Sequence, residues 1–456
     1  MSYHWFGGNL AARAALLSAA ALLMTVATAP AARADFTCAG DCNGDREVRI
    51  EELMSSLNAA LDPVANPGCR AADEDGDGTV EVYEIIAAVA RALNGCGPDP
   101  YPRDATLRLN QMQVLGTHNA YHKRVDQPIF DQIAAFSEPL AETLDYGHDP
   151  LQIQFEDEGV RQVEIDIFAD PDGGRYAHPV GLQLLTGDPN ATLPGMSAPG
   201  LKVFHVQDID FRSTCATFVE CLTEVKAWSD THPGHAPLMV QVEAKDDVIP
   251  NVGGFTFVVP LPIDAAALDE IDAEVHSVFA REELLLPDDV RGSHATLLEA
   301  VQTDGWPTLA AARGKVFFCL DNEGSVRDTY TSGAHAALAG RVMFVSAEPP
   351  AAEAGFIKLN DPIADFANIQ DFVSRGFIVR TRSDADTVQA RSNDTTMRDA
   401  ALSSGAQFVS SDYPVPDLRF SNYVVSMPGG TPARCNPISA PQNCTSADIE
   451  RPDALR

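Results

Sequence analysis

Positive charge is what this chain lacks most: 32 Lys and Arg stand against 65 Asp and Glu, a formal net charge of −33. A surface that acidic excludes a nucleic-acid partner and simple electrostatic docking on anionic lipid. It favours calcium, whose ligands are hard carboxylate oxygens. Beyond residue 34 no run is long and apolar enough to span a bilayer, so no transmembrane segment is expected in the mature chain. No Gly-rich nucleotide fingerprint follows any strand-like run, which removes the main ground for a doubly wound dinucleotide fold.

What is there begins with a leader. Residues 1–34 carry Arg13, an apolar run over residues 14–27, and Ala32-Arg33-Ala34 ahead of Asp35. That is the layout of a secretory signal peptide cut near Ala34, and the run is shorter than the roughly 20 residues a membrane span needs. The expected location is secreted or periplasmic. Nine cysteines agree with an oxidising compartment. Spacing suggests Cys215 with Cys221 and Cys435 with Cys444, while Cys38, Cys42, Cys69 and Cys96 allow three pairings. Cys319, inside the apolar run KVFFCL, reads as a buried free thiol.

Residues 35–97 contain two similar segments, with Asp41 aligning on Asp73. The second reads D-x-D-x-D-G-x5-E: Asp73, Asp75, Asp77, Gly78 and Glu84, with Thr79 offering a carbonyl and Glu81 acting through water. The first has Asp41, Asn43, Asp45 and Glu52 in register, but Arg46 replaces the turn glycine, which weakens the expected calcium site. An apolar helical stripe follows each loop. The pair resembles the EF-hand or dockerin-like repeats of secreted bacterial proteins. Such repeats imply a protein partner or a stabilising calcium staple. Residues 98–106, rich in Pro and Asp, read as a linker.

From residue 107 eight short apolar runs alternate with longer stretches: MQVLG at 112, VRQVEIDIF at 160, LKVFHV at 201, LMVQVEA at 238, KVFFCL at 315, RVMFVS at 341, GFIVRT at 376 and AQFVSS at 406. Eight buried strands with long crossovers are what a (β/α)8 TIM-type barrel requires. The expected fold is therefore α/β: a small all-α module, a barrel over residues 107–425, and a tail over residues 426–456 holding Cys435 and Cys444.

Polar residues gather at the ends of these runs, where a barrel builds its active site. Glu164 and Asp166 share one strand face by the period-two rule, and Asn119 and Glu243 complete an all-oxygen set suited to calcium or magnesium rather than zinc. His118 and His205 follow the first and third runs and could flank a phosphate, one removing a proton while the other donates or stabilises. His122 is the weaker candidate, a supporting or rim residue. Lys245, Arg380 and Arg382 are candidates for the phosphate oxygens. Asp412 and Tyr413 follow the eighth run.

The segments VLGTHNAYH, GVRQVEIDIFADPDGGRYAHP, LKVFHVQDIDFRSTCATFVECL, VQVEAKDD, VRTRSDADT and ALSSGAQFVSSDY, in this order, resemble the calcium-dependent bacterial relatives of phosphatidylinositol-specific phospholipase C. The resemblance implies a TIM barrel that cleaves a phosphoinositide-like lipid at a membrane surface. It implies His118 and His205 as the catalytic pair and Asn119, Glu164, Asp166 and Glu243 as calcium ligands. His118 would act on the phosphoryl oxygens and His205 at the departing diacylglycerol oxygen, while Asp412 and Tyr413 bind inositol hydroxyls or close the rim. Two other readings stand beside it: a glycerophosphodiester phosphodiesterase, and a non-catalytic calcium-stabilised surface-binding protein.

Overall fold

The computed structural model describes residues 38–43, 45–61, 69–73, 79–96, 99–251 and 256–455. The leader lies outside the described residues, as do Asp75, Asp77 and Gly78 of the second loop.

Among the described residues ten strands occur in chain order: β1 Met112–Thr117, β2 Val160–Phe168, β3 Lys202–Val203, β4 Leu238–Ala244, β5 Val316–Leu320, β6 Met343–Val345, β7 Phe356–Lys358, β8 Ile378–Arg382, β9 Phe408–Ser411 and β10 Ala433–Cys435. Eight are parallel, in the order β6-β5-β4-β2-β1-β9-β8-β7. The ring closes through a parallel bridge between Ser346 and Phe356, with the Ala347 amide donating to the Phe356 carbonyl at 3.1 Å. Helices cover the outside, and the strand residues are buried along nearly their whole length, as continuous apolar patterning requires. The expected α/β barrel is present.

One of the expected strands is not in it. Lys202–Val203 pairs antiparallel with the end of β2, outside the ring. Its apolar character serves another purpose: Phe204 stacks on Phe168 with ring centroids 4.1 Å apart, inside a second core built from segments after β1 and β2. The missing barrel strand is β7, three residues of which the last is Lys358, so only Phe356 and Ile357 remain as an apolar run.

Close packing explains the glycine at position 116, next to the end of β1. A Cβ there would lie 1.7 Å from Gln162 Oε1. That oxygen accepts from Ser410 Oγ at 2.5 Å, tying β2 to β9 across the end of β1. Substitution would push these strands apart just below the His118 segment.

The segments that flank the barrel on either side are built into it. In the stretch read as a linker, Tyr101 and Asp104 are buried; Asp104 takes Arg313 Nη2 at 2.6 Å, and the Arg313 guanidinium lies over the Tyr101 ring. At the other end, β10 pairs antiparallel with the first half of β1, Met112 facing Cys435. Farther on, Glu450 is buried, accepting from Arg161 Nη2 and from the Ala236 amide, each at 2.6 Å. Arg161 holds the Glu450 carboxyl below its ordinary range although burial pushes the other way.

Helices Ile50–Leu61 and Val82–Asn94 form the small N-terminal unit. Its cysteines pair Cys38–Cys96 and Cys42–Cys69, which settles the three alternatives. Cys215–Cys221 and Cys435–Cys444 form as expected, and Cys319 is free and buried.

Two stability predictions follow from buried carboxyls. Glu450→Ala leaves Arg161 charged and unpaired in the interior, a cost of about 3–5 kcal/mol in denaturant unfolding. Glu274 is buried beside Lys202, and its Oε2 has no hydrogen-bond partner; burial raises its carboxyl to about 7. Its folded-state affinity for a proton exceeds the unfolded one, so native stability falls as pH rises from about 4.5 through 7. Glu274→Gln is expected to flatten that slope, read as the denaturant midpoint at pH 5.5 and 8.5.

Candidate active site

The strap after β1 crosses the C-terminal ends of its neighbours. The His118 amide donates to the Ser411 carbonyl at 3.2 Å and the Ala120 amide to the Glu164 carbonyl at 2.9 Å, so the strap is fixed to β9 and β2. Asn119 between them takes φ 46°, in the left-handed region that asparagine tolerates.

His118 faces β8 and β9. Its Nδ1 lies 2.8 Å from Asp412 Oδ1, and its Nε2 lies 3.4 Å from Arg382 Nη1. Arg382 Nη2 donates to the other Asp412 oxygen at 3.1 Å. Burial, then the Arg382 cation, lowers the His118 pKa to about 3, so the ring is neutral at ordinary pH. Asp412, expected from sequence to bind inositol hydroxyls or to close the rim, is bonded to this histidine. Tyr413 is buried with its ring against Tyr423.

His205 lies on the loop after β3. Its Nδ1 is 2.7 Å from Asp210 Oδ2. The same carboxylate receives His122 Nε2 at 2.9 and 2.8 Å, and His122 is fully buried rather than on the rim. Burial raises the Asp210 pKa, but the two histidines outweigh it and hold the group at about 2. Burial lowers His205 despite Asp210.

Between the histidines lie the carboxylates. Parallel pairing sets Asp166 opposite Glu243, and oxygens of Glu164, Asp166 and Glu243 come within 4.8 Å of one another. Burial pushes Asp166 well above the usual carboxylate range and Glu164 to about 7, with Glu243 adding to both. Lys245 Nζ sits 3.4 Å from Asp166 and 3.4 Å from Glu243. Arg380 is spent on Glu164, on Ser410 Oγ at 2.9 Å and on Asn360, so it is not free for a phosphate.

The donor set fits calcium. Asn119 Nδ2 donates to the Tyr146 hydroxyl at 2.9 Å, which orients the amide, and its Oδ1 is buried with no hydrogen-bond partner. Both Asp166 oxygens are likewise buried without one. Orphaned oxygens beside a surplus of buried carboxylate are what a hard, all-oxygen cation site leaves when described without its ion.

In the N-terminal unit, Asp41, Asp45 and Glu52 also approach within 4.8 Å. Asn43 Oδ1 accepts from the Asp45 amide at 2.8 Å, turning it toward the loop backbone. Arg46 adopts φ 64° at the glycine position, and Arg49 pairs with Asp45. In the second loop Glu84 is buried and accepts from the Glu81 amide at 2.9 Å, while Thr79 Oγ1 donates to Glu81 Oε1 at 2.7 Å.

The sequence reading missed Asp210, Tyr146 and His148. His148 donates to the His118 carbonyl at 2.9 Å. Asp210 lies five residues after His205 and was visible as a nearby acid, but its second partner, His122, is 88 residues away. Nothing local marks such a contact.

A parallel barrel whose C-terminal end carries a carboxylate cluster between two histidine–carboxylate pairs defines a metal-dependent phosphodiesterase type of enzyme. Residues 107–437 match the family of phosphoinositide phospholipase C, Ca2+-dependent (PI-PLC-C1), and the chain belongs to that family. It is thus a calcium-dependent phosphodiesterase of the phosphatidylinositol-specific phospholipase C type. No curated protein sequence matches the chain. Among solved structures it is similar to a calcium-dependent phosphoinositol-specific phospholipase C from Pseudomonas sp, 18% identical over 74% of this chain and 98% of that one, TM-score 0.46. The Ca2+-dependent enzyme of Streptomyces antibioticus is 20% identical over 68% and 96%, TM-score 0.41. The phosphatidylinositol-specific phospholipase C of Listeria monocytogenes is 12% identical over 69% and 92%, TM-score 0.35.

Asn119→Ala and Asp166→Asn are each expected to remove most of the barrel's stabilisation by calcium, about 2.7 kcal/mol at 100-fold excess over Kd. The measurement is the calcium-dependent melting shift of each variant against wild type, which subtracts any contribution of the N-terminal unit.

Proposed function

We propose that this is a secreted or periplasmic enzyme, its leader cut near Ala34, that cleaves phosphatidylinositol-like lipids to diacylglycerol and a cyclic inositol phosphate. Asn119, Glu164, Asp166 and Glu243 would hold the calcium ion, which when bound supplies Lewis-acid activation of the inositol 2-hydroxyl and charge neutralisation at the phosphate.

The observation that carries this reading is the pair of histidine–carboxylate contacts flanking the buried oxygen cluster. With Nδ1–H directed at Asp412, the neutral His118 ring presents an Nε2 lone pair and is suited to take the proton of the 2-hydroxyl. Of the roles the sequence leaves open to the pair, this reading gives His118 the proton removal. The 2-hydroxyl oxygen then bonds to phosphorus and the bond from phosphorus to the diacylglycerol oxygen breaks. His205 gives that departing oxygen its proton. Asp210, ionised between two histidines, is the counter-charge that a protonated His205 needs. Arg382 beside His118 is placed for a non-bridging oxygen, and Lys245 stays with the carboxylates. Because the nucleophile and phosphorus belong to one molecule, orientation alone makes a large contribution.

The N-terminal repeats we read as a disulfide-clamped unit, stabilised by calcium and open to a protein partner. Four disulfides agree with an oxidising location, and no helix among the described residues is long and apolar enough to cross a membrane.

The test is hydrolysis of phosphatidylinositol in mixed micelles with calcium, following diacylglycerol and cyclic inositol phosphate. His118→Ala and His205→Ala are each expected to lose about 10²–10⁴-fold in turnover. A 2-O-methyl inositol lipid should be inert. Cleavage of that analogue at the normal rate would show that water is the nucleophile and favour a glycerophosphodiester phosphodiesterase.

A further inference from the structure

His122 has no exposure at all, so it cannot touch a substrate, and its Nδ1 has no hydrogen-bond partner among the described residues. A buried ring nitrogen left unpaired costs free energy, which a compensating role must offset. The other ring nitrogen serves one group: Nε2 lies 2.9 and 2.8 Å from the two oxygens of Asp210.

Backbone pairing fixes that contact from both sides. His122 forms an antiparallel bridge with Ser213, the Thr214 amide donates to the Tyr121 carbonyl at 2.8 Å, and the Lys123 amide donates to the Arg212 carbonyl at 3.3 Å. Asp210 stands just before this paired segment, at the end of a tight turn that begins at His205. Its amide donates to the Val206 carbonyl at 2.9 Å, and its carbonyl accepts from the amides of Val206 at 3.0 Å and His205 at 3.2 Å. The His122 ring packs against Tyr146, centroids 4.4 Å apart, and meets the His205 ring edge-on at 5.3 Å.

The shared carboxylate passes this order on. His205 Nδ1 takes Asp210 Oδ2 at 2.7 Å while His122 reaches both oxygens. Burial would raise the Asp210 carboxyl, and of the groups that nevertheless hold it at about 2, His122 acts most. An ionised carboxylate facing His205 Nδ1 keeps a proton on that nitrogen, which leaves Nε2 as the nitrogen that works on the substrate. Without the His122 donor the carboxylate is free to turn about its own bonds, and the His205 ring turns with it.

We propose that His122 is a positioning residue for the acid half of the reaction: through Asp210 it fixes the His205 ring with Nε2 toward the departing oxygen. The proposal rests on the phospholipase reading, in which His205 is that acid. The bond from phosphorus to the departing oxygen breaks, that oxygen takes the His205 Nε2 proton, and the proton of the 2-hydroxyl stays with His118. His122 exchanges no proton in this sequence; it sets the direction in which His205 delivers one.

The full chain with calcium is assayed on two soluble diesters of inositol phosphate. One is dibutyroyl phosphatidylinositol, whose departing alkoxide needs a proton; the other is the nitrophenyl ester, whose departing nitrophenolate does not. His122→Phe keeps a ring in place and removes the donor. It is expected to lower kcat on the dibutyroyl lipid about 10–100-fold with KM unchanged, less than the 10²–10⁴ an acid supplies as a whole, and to lower kcat on the nitrophenyl ester less than about threefold. His122→Gln, whose amide nitrogen reaches the place of Nε2, should be about 10-fold faster on the dibutyroyl lipid than His122→Asn, whose amide stops short of Asp210. That pair decides the matter where His122→Phe does not fold. Equal losses on the two esters, or equal rates for His122→Gln and His122→Asn on the lipid, overturn the positioning role and leave the phospholipase reading standing. A wild type that cleaves neither ester overturns the phospholipase reading and the role with it.

Discussion

Three carboxylates within 4.8 Å of one another, two of them buried, cannot all carry charge unless cations surround them, and the site is organised around that constraint. The parallel register of β2 and β4 creates it by setting Asp166 opposite Glu243, while the strand period places Glu164 on the same face. Lys245 answers from one side and Arg380 from another. Asn119, held at a positive φ with its amide turned by Tyr146, adds a neutral oxygen rather than a further charge. A divalent cation bound there would complete the balance that the side chains leave open.

The two histidines are supported differently, and the difference bears on their chemistry. His118 is hydrogen-bonded to one carboxylate, Asp412, which is itself held by Arg382, and burial together with that cation keeps the ring neutral. His205 shares its carboxylate with His122, a ring with no exposure at all. Asp210 is thereby fixed from behind, and His205 inherits its orientation. The strap carrying His118 and Asn119 also carries His122, so one short segment contributes to both halves of the site.

Much of this was legible beforehand. Buried parallel strands leave near-continuous apolar runs, and polar residues at the ends of such runs stand out, which is why Asn119, Glu164, Asp166, Glu243, His118 and His205 were all readable. The strand count was right for a partly wrong reason. LKVFHV is apolar because Phe204 packs in the second core, and β7 leaves little apolar pattern because one of its three residues is Lys358. The linker and tail looked like surface segments because Pro, Asp and Asn dominate them, yet Asp104 and Glu450 are the partners of buried arginines far along the chain.

The sequence by itself determined the strand faces, the acidic balance, the thiol count and the residue types at the barrel's C-terminal end, because these depend on local periodicity and composition. Only the tertiary structure decided which partner each of those residues takes. Arg380 was equally suited to a phosphate or to Glu164, Asp412 to a sugar hydroxyl or to His118, and His122 to the rim or to Asp210. Those choices are made by through-space contacts between groups 88 to 294 residues apart, and a one-dimensional pattern carries no distance between them.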